Sequence, residues 1–229
     1  MPAGLTLLTP TGGRPEAFAL SERWFSRQTF RGEVQWLVAD DADPPTAMAC
    51  GQTVVRPEPA WRAGENTQHR NLLALLPLVR FDRIVHWEDD DWYGPGYLEK
   101  MARALEGAEL VGEAPTRYYN VRFRHWREWG NTKHAALFQT AMRAELLPLL
   151  TRICAARQWI DLTLWPSAPA RGLLLAPGDS VGIKGMPGRP GQVKSHGRRR
   201  ILADAPDPAL EKLQMWIGSD VDEYRRFAA

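Results

Sequence analysis

The sequence predicts an α/β fold with a mainly parallel sheet flanked by helices. Three observations carry this. Short apolar runs alternate with amphipathic stretches through the first half of the chain. Polar clusters follow three of those runs directly. Beyond them the pattern loosens into Gly/Pro-rich stretches and basic segments, so a single domain is expected with a regular part, 1–112, and an irregular part, 113–229.

Leu5 to Thr9 is a β-leaning run that stops at the turn signal Pro10-Thr11-Gly12-Gly13-Arg14-Pro15. Residues 15–30 then read as a helix: Pro15 suits the first helical position, and Phe18, Leu20, Trp24 and Phe25 fit one apolar stripe. Val34–Val38 is a second strand running into Ala39-Asp40-Asp41. Residues 42–65 lack periodicity and read as a long loop. Asn66 opens a helix to about Val79, with Leu72, Leu73, Leu75 and Leu76 toward the core. Ile84–Trp87 is a third strand that meets Glu88-Asp89-Asp90-Asp91. Pro95 starts a helix to about Glu106, and Leu110-Val111-Gly112 is a further strand. Later, a helix is expected over Thr140–Ala156, bent at Pro148. A strand follows at Leu173–Leu175, a loop over 176–200, and one or two helices over 206–227.

The 229 residues are 44% hydrophobic and 24% charged, which excludes disorder as the main state. No apolar run reaches the length of a membrane span, and the opening MPAGLTLLTPTGG lacks the basic start and apolar core of a secretory signal. A cytoplasmic protein without a membrane partner is therefore expected. The two cysteines, Cys50 and Cys154, have no metal-type spacing. The net charge of +2 is unevenly spread. Residues 117–134 hold five Lys/Arg against one Glu, and 183–200 hold six Lys/Arg and no acid, so the remainder is acidic. An acidic body with two basic segments points to a phosphate-bearing partner.

In open α/β sheets ligands sit beyond the carboxyl ends of the strands. The clusters Thr9–Arg14, Asp40-Asp41 and Glu88–Asp91 all fall there. Four successive carboxylates repel one another and need a compensating cation if they are ionised. Hard oxygen donors suit Mg²⁺ or Mn²⁺, which also bind a diphosphate. An exposed acidic turn leading into a helix is the alternative.

The order Thr9-Pro10-Thr11-Gly12-Gly13-Arg14-Pro15, Arg27-Gln28-Thr29-Phe30, Trp36-Leu37-Val38-Ala39-Asp40-Asp41 and Trp87-Glu88-Asp89-Asp90-Asp91 resembles family 2 glycosyltransferases of the GT-A fold over residues 5–112. The resemblance implies a Rossmann-like donor half and an acceptor half from residue 113. It implies a nucleotide-sugar donor, with a uridine nucleotide favoured, and Mn²⁺ or Mg²⁺ as cofactor. It places the DXD motif at Asp89-Asp90-Asp91, with Asp91 a metal ligand, Asp89 near the ribose or metal, and Glu88 a further contributor. It sets Asp41 against the nucleoside, Thr9, Thr11 and Arg14 along the base and phosphate side, and Arg70 and Asn71 on the following helix. A late histidine ligand would be His196, and Lys184, Arg189 and Lys194 would neutralise the leaving diphosphate. An inverting transfer needs a general base. Asp161, a lone acid in the aromatic stretch Gln158–Trp165, is the expected one, with Glu113 and Glu128 in reserve. This chain has Ile160-Asp161 where the family often has Glu-Asp.

The segment Tyr118–Arg127 interleaves cations and rings, as a nucleic-acid surface does. Arg122, Arg124, Trp126 and Arg198 are the expected acceptor contacts, and a hydroxymethylated pyrimidine in phage-type DNA is one expected acceptor. A soluble glycan or small molecule is the other. Rival readings are a two-metal nuclease, a nucleotidyltransferase and a non-catalytic DNA-binding module.

Overall fold

The computed structural model describes residues 4–168, 172–189 and 204–227. Its centre is a seven-stranded sheet. The parallel strands β1 (Gly4–Thr11), β2 (Glu33–Asp40), β3 (Thr53–Val55) and β4 (Arg83–His86) form one side, with β1 paired to both β2 and β4. On the other side β6 (Leu110–Glu113) pairs in parallel with β10 (Gly172–Leu175). Between them runs β9 (Thr140–Arg143), antiparallel to β4 and to β6. The order is β10-β6-β9-β4-β1-β2-β3. Strands from both halves of the sequence thus share one sheet.

Both faces of this sheet are covered, so its strands are apolar on both sides. Leu5, Leu7, Trp36, Val38, Val85 and Trp87 enter one core, under α1 (Pro15–Ser26) and α3 (Tyr97–Ala104). Leu8, Leu37, Ala39 and Ile84 enter the other, with α2 (Gln68–Leu75), α4 (Leu147–Ala155) and α5 (Ile160–Ser167). Helix α1 begins at Pro15, as expected, and buries Ala17, Phe18, Leu20, Ser21 and Trp24 along one stripe.

A second, five-stranded sheet has the order β12-β8-β7-β11-β5. Its members are β5 (Trp92–Tyr93), β7 (Thr116–Asn120), β8 (His125–Trp129), β11 (Ser180–Lys184) and β12 (Ala205–Pro206). The acidic turn Glu88–Asp91 is the junction between the sheets, leaving β4 and entering β5. Last come α6 (Glu211–Ile217) and a 3₁₀ segment, Gly218–Phe227. Asp220 of that segment takes hydrogen bonds from Arg27 and from Trp92 Nε1 (2.8 Å), clasping it behind β5.

Several expectations need correction. Thr140–Ala156 is not one helix: Thr140–Arg143 is a sheet strand, and α4 starts only at Leu147, with Pro148 in its first turn rather than at a bend. The 176–200 stretch, expected as a loop, contains β11, while β7 and β8 pair as a β-hairpin that carries most of the basic 117–134 segment. The 42–65 loop carries the edge strand β3. The second half is therefore more regular than its composition indicates. Among the described residues no helix is long and apolar enough to cross a membrane.

Candidate active site

The register of the second sheet builds the site. Pairing Ser180 with Tyr93 and Val181 with Trp92 carries β11 past the acidic turn. There the Ile183 N–H donates to Asp91 Oδ1 (2.8 Å) and Lys184 Nζ donates to the same oxygen (3.0 Å). Lys184 Nζ is also 3.5 Å from Asp90. Across the turn Arg14 reaches Asp89 (2.5 Å) and Asp90 (3.0 Å), and Thr11 Oγ1 donates to Asp89 Oδ2 (2.6 Å). Behind the turn Trp87 stacks on Tyr93 at 3.9 Å, and the Tyr93 hydroxyl accepts the Glu88 N–H (2.9 Å). Backbone and rings fix the carboxylates before any ligand arrives.

Ligand atoms of Glu88, Asp90 and Asp91 lie within 4.8 Å of one another. Asp89, expected as a ligand, is not among them, because Thr11 and Arg14 hold both of its oxygens. Three features fit a divalent cation at the trio. Four carboxyl groups face two cations, Arg14 and Lys184, so two of them lack a compensating charge. Asp91 Oδ2 is buried without a partner among the described residues. Finally, burial lifts the Glu88 carboxyl to about 7 despite Lys184 and raises Asp91 well above the carboxylate range. Asp90 moves the other way: burial opposes its ionisation, but Lys184 and Arg14 together outweigh it.

The turn opens into a cavity of about 800 Å³. Thr11, Arg14, Glu88, Asp90 and Lys184 line one part, and Gln158, Trp159 and Asp161 line another. Asp161 lies in the first turn of α5, with its Oδ1 accepting the Leu162 N–H (2.9 Å). Burial raises its pKa, opposed by the Leu162 N–H and by His134. The reserve bases are elsewhere: Glu113 is buried against Lys100 and Ser180, and Glu128 pairs with Arg117.

Asp41 is buried just past the end of β2. Its carboxylate accepts from Thr67, from Arg70 and Asn71 (both 2.9 Å) and from Arg189 (2.7 Å). Arg189 also lies 4.6 Å over the Trp61 ring. Two glycines permit this. A Cβ on Gly12 would meet Asp41 Oδ1 at 2.2 Å. Gly188, at φ +97°, lies so close to the β1–α1 turn that a Cβ would meet the Gly13 carbonyl at 2.3 Å. The Arg189 N–H donates to that carbonyl (2.9 Å). Gly188 and Arg189 are thereby seated on the turn after β1.

Other expected residues are placed differently. Thr9 does not line the cavity: its hydroxyl donates to the Trp87 carbonyl (2.7 Å) and accepts from Trp36 Nε1 (2.9 Å). Arg70 reaches the site only through Asp41. Arg122, Arg124 and Trp126 also stand off the cavity. Arg124 donates to the Pro208 carbonyl (2.6 Å), Trp126 packs edge-on to Trp216, and Arg122 is exposed beside Phe123. His196 and Arg198, with Lys194, lie outside the described residues. Sequence reasoning did not single out Trp61 or Gln68, whose amide donates to Glu88 (3.1 Å); nothing in their local sequence marks them.

No family model matches this chain, and no curated protein matches it. Solved structures do. TarS of S. aureus aligns over 80% of this chain and 37% of its own, with 12% identity and a TM-score of 0.58. TarS 1–349 in complex with UDP aligns over 79% of this chain and 60% of its own, with 13% identity and a TM-score of 0.59. The complex of TarS 1–349 with UDP-GlcNAc gives 79% and 58%, 13% identity and a TM-score of 0.58. This chain thus spans less than two thirds of each. What is shared at such identities is the fold, and that fold is of the GT-A type.

Proposed function

We propose that this chain is a metal-dependent glycosyltransferase that moves a sugar from a nucleoside-diphosphate donor to an acceptor hydroxyl with inversion. The observation that carries the reading is that one cavity joins the acidic turn to Asp161. At the first end Glu88, Asp90 and Asp91 would hold Mn²⁺ or Mg²⁺, which supplies charge neutralisation for the donor diphosphate and its departure. Lys184 and Arg189 add positive charge beside the diphosphate, and Arg14 keeps Asp89 and Asp90 in place. Asn71, which lines the cavity, would meet the nucleoside, held in place by Asp41, which Arg70 in turn fixes. Uridine is the proposed base, consistent with the UDP and UDP-GlcNAc held by the similar TarS structures.

At the other end Asp161 takes the proton from the acceptor hydroxyl. The oxygen attacks the anomeric carbon, and the bond to the diphosphate breaks with its electron pair leaving on the nucleoside diphosphate. Burial suits Asp161 to this by lifting its pKa toward the working range.

A panel of nucleotide sugars with Mn²⁺ or Mg²⁺, read by release of nucleoside diphosphate, tests the proposal. Release should require the metal and disappear in Asp91→Ala. Asp161→Asn should lose about 10²–10⁴-fold in turnover and still bind donor in a calorimeter. Failure to bind any nucleotide sugar with metal present would refute the reading.

A DNA acceptor has weaker support, since Arg124 and Trp126 are engaged with the chain itself. A salt titration against hydroxymethylated duplex DNA decides it: no binding at low salt removes DNA from consideration.

A further inference from the structure

The rim of the cavity carries a feature that the donor and base do not use. Trp159 lines the cavity and is 63% exposed. Exposure at the cavity rim leaves a flat, amphipathic indole face free for a ligand. The ring is held in position. His69 Nε2 donates to the Gln158 carbonyl (2.7 Å), and the Arg157 and Gln158 N–H groups donate to the Cys154 and Ile153 carbonyls (both 3.1 Å). Trp159 itself accepts the Thr163 N–H (3.0 Å) as α5 begins. The indole therefore stands on a pinned turn, two residues from Asp161.

We propose that Trp159 is the platform of the acceptor subsite and that the acceptor is a carbohydrate, its ring stacked on the indole with the attacking hydroxyl toward Asp161. This rests on the glycosyltransferase reading above. Two classes of molecule lie flat on an indole, sugars and nucleobases. Charge separates them. Nucleic acid brings a phosphate for every base and needs cations in excess. Among the residues lining the cavity the acids outnumber Lys and Arg five to four, so cations are not in excess, and Asn66, Gln68 and Gln158 add neutral amides. That surround repels a polyanion and matches the hydroxyls of a neutral sugar.

The test uses the full chain and the variants Trp159→Ala and Trp159→Phe, with methyl glycosides and short oligosaccharides of glucose, galactose, mannose and N-acetylglucosamine as probes. Saturation-transfer NMR with UDP and the diamagnetic Mg²⁺ present reads sugar binding directly. Wild-type signals should be lost in Trp159→Ala and partly kept in Trp159→Phe, while UDP affinity stays unchanged. In turnover with the best sugar, the acceptor KM should rise about tenfold or more in Trp159→Ala, with kcat less affected. Equal sugar signals in wild type and Trp159→Ala would overturn the proposal. So would no sugar signal in wild type, or a hydroxymethylated duplex accepting sugar where no carbohydrate does. Loss of UDP binding in wild type would instead count against the donor reading, and the NMR comparison without nucleotide would still decide the role of Trp159.

Discussion

Replacing Lys184 with methionine keeps most of the side chain's volume and removes its charge. Lys184 Nζ lies 3.0 Å from Asp91 and 3.5 Å from Asp90, largely out of solvent. Arg14 would then face four carboxyl groups alone, and three of them rather than two would lack a compensating charge. Removing one partner of a buried pair costs about 3–5 kcal/mol. For a chain of this size each kcal/mol moves Tm by roughly 2–4 °C, so a fall of about 6–20 °C is expected in EDTA. The loss should shrink in acid. Asp91 already has a raised pKa, and losing Lys184 raises it further, so its protonation relieves the repulsion as pH falls, at a pH already above the ordinary carboxylate range. Mn²⁺ should restore more stability to Lys184→Met than it adds to the wild type, because the ion supplies the missing charge. Thermal unfolding followed by circular dichroism, with EDTA and with Mn²⁺, reads all of this. Equal Tm values in EDTA, or an equal Mn²⁺ shift in both proteins, would show that the turn is not a charge-deficient cation site.

Two further outcomes can be checked. His86 is buried with neither ring nitrogen partnered among the described residues, and burial lowers its pKa from 6.5 to about 4. The folded state then binds fewer protons than the unfolded one between those values. Stability is full above pH 6.5 and falls as pH drops toward 4, by about 3 kcal/mol in all. His86→Leu should remove that dependence, so urea unfolding at pH 7.5 and 5 should separate the two proteins by about 2 kcal/mol more at the lower pH. Gly188→Ala puts a methyl group against the Gly13 carbonyl at a φ that disfavours it. It should lift Arg189 from Asp41, cost about 1–3 kcal/mol in stability and change the donor dissociation constant, measured by calorimetry.

Much of the first half was legible because its strands are buried on both faces and its turns carry Pro and Gly. Leu5–Thr9 and Val34–Val38 lie within β1 and β2, and Ile84–Trp87 overlaps β4, which ends one residue earlier at His86. The misreadings have physical causes. Thr140–Arg143 is four residues long and lacks β-branched apolar side chains, so only its position between β4 and β6 makes it a strand. Ser180–Lys184 hides among glycines and a proline, yet its register delivers Lys184 to the acids. The acids themselves were legible as a cluster, but which three converge was not. That depends on Arg14 and Thr11 turning Asp89 aside, a contact across 78 residues for Thr11. The basic hairpin read as a free surface because sequence does not reveal that Arg124 and Trp126 face the C-terminal segment.

The crowding around Asp41 bears on how ligands for this cavity should be sought. A carboxylate is an acceptor only. Here it is saturated by hydroxyl, amide and guanidinium groups drawn from Thr67, Arg70, Asn71 and Arg189. A molecule that enters by displacing Arg189 must bring an N–H or O–H edge of its own, or it strands a charge away from water. Fragment libraries weighted toward imides, amidines and cyclic ureas should therefore find this corner more readily than ethers, esters or tertiary amides.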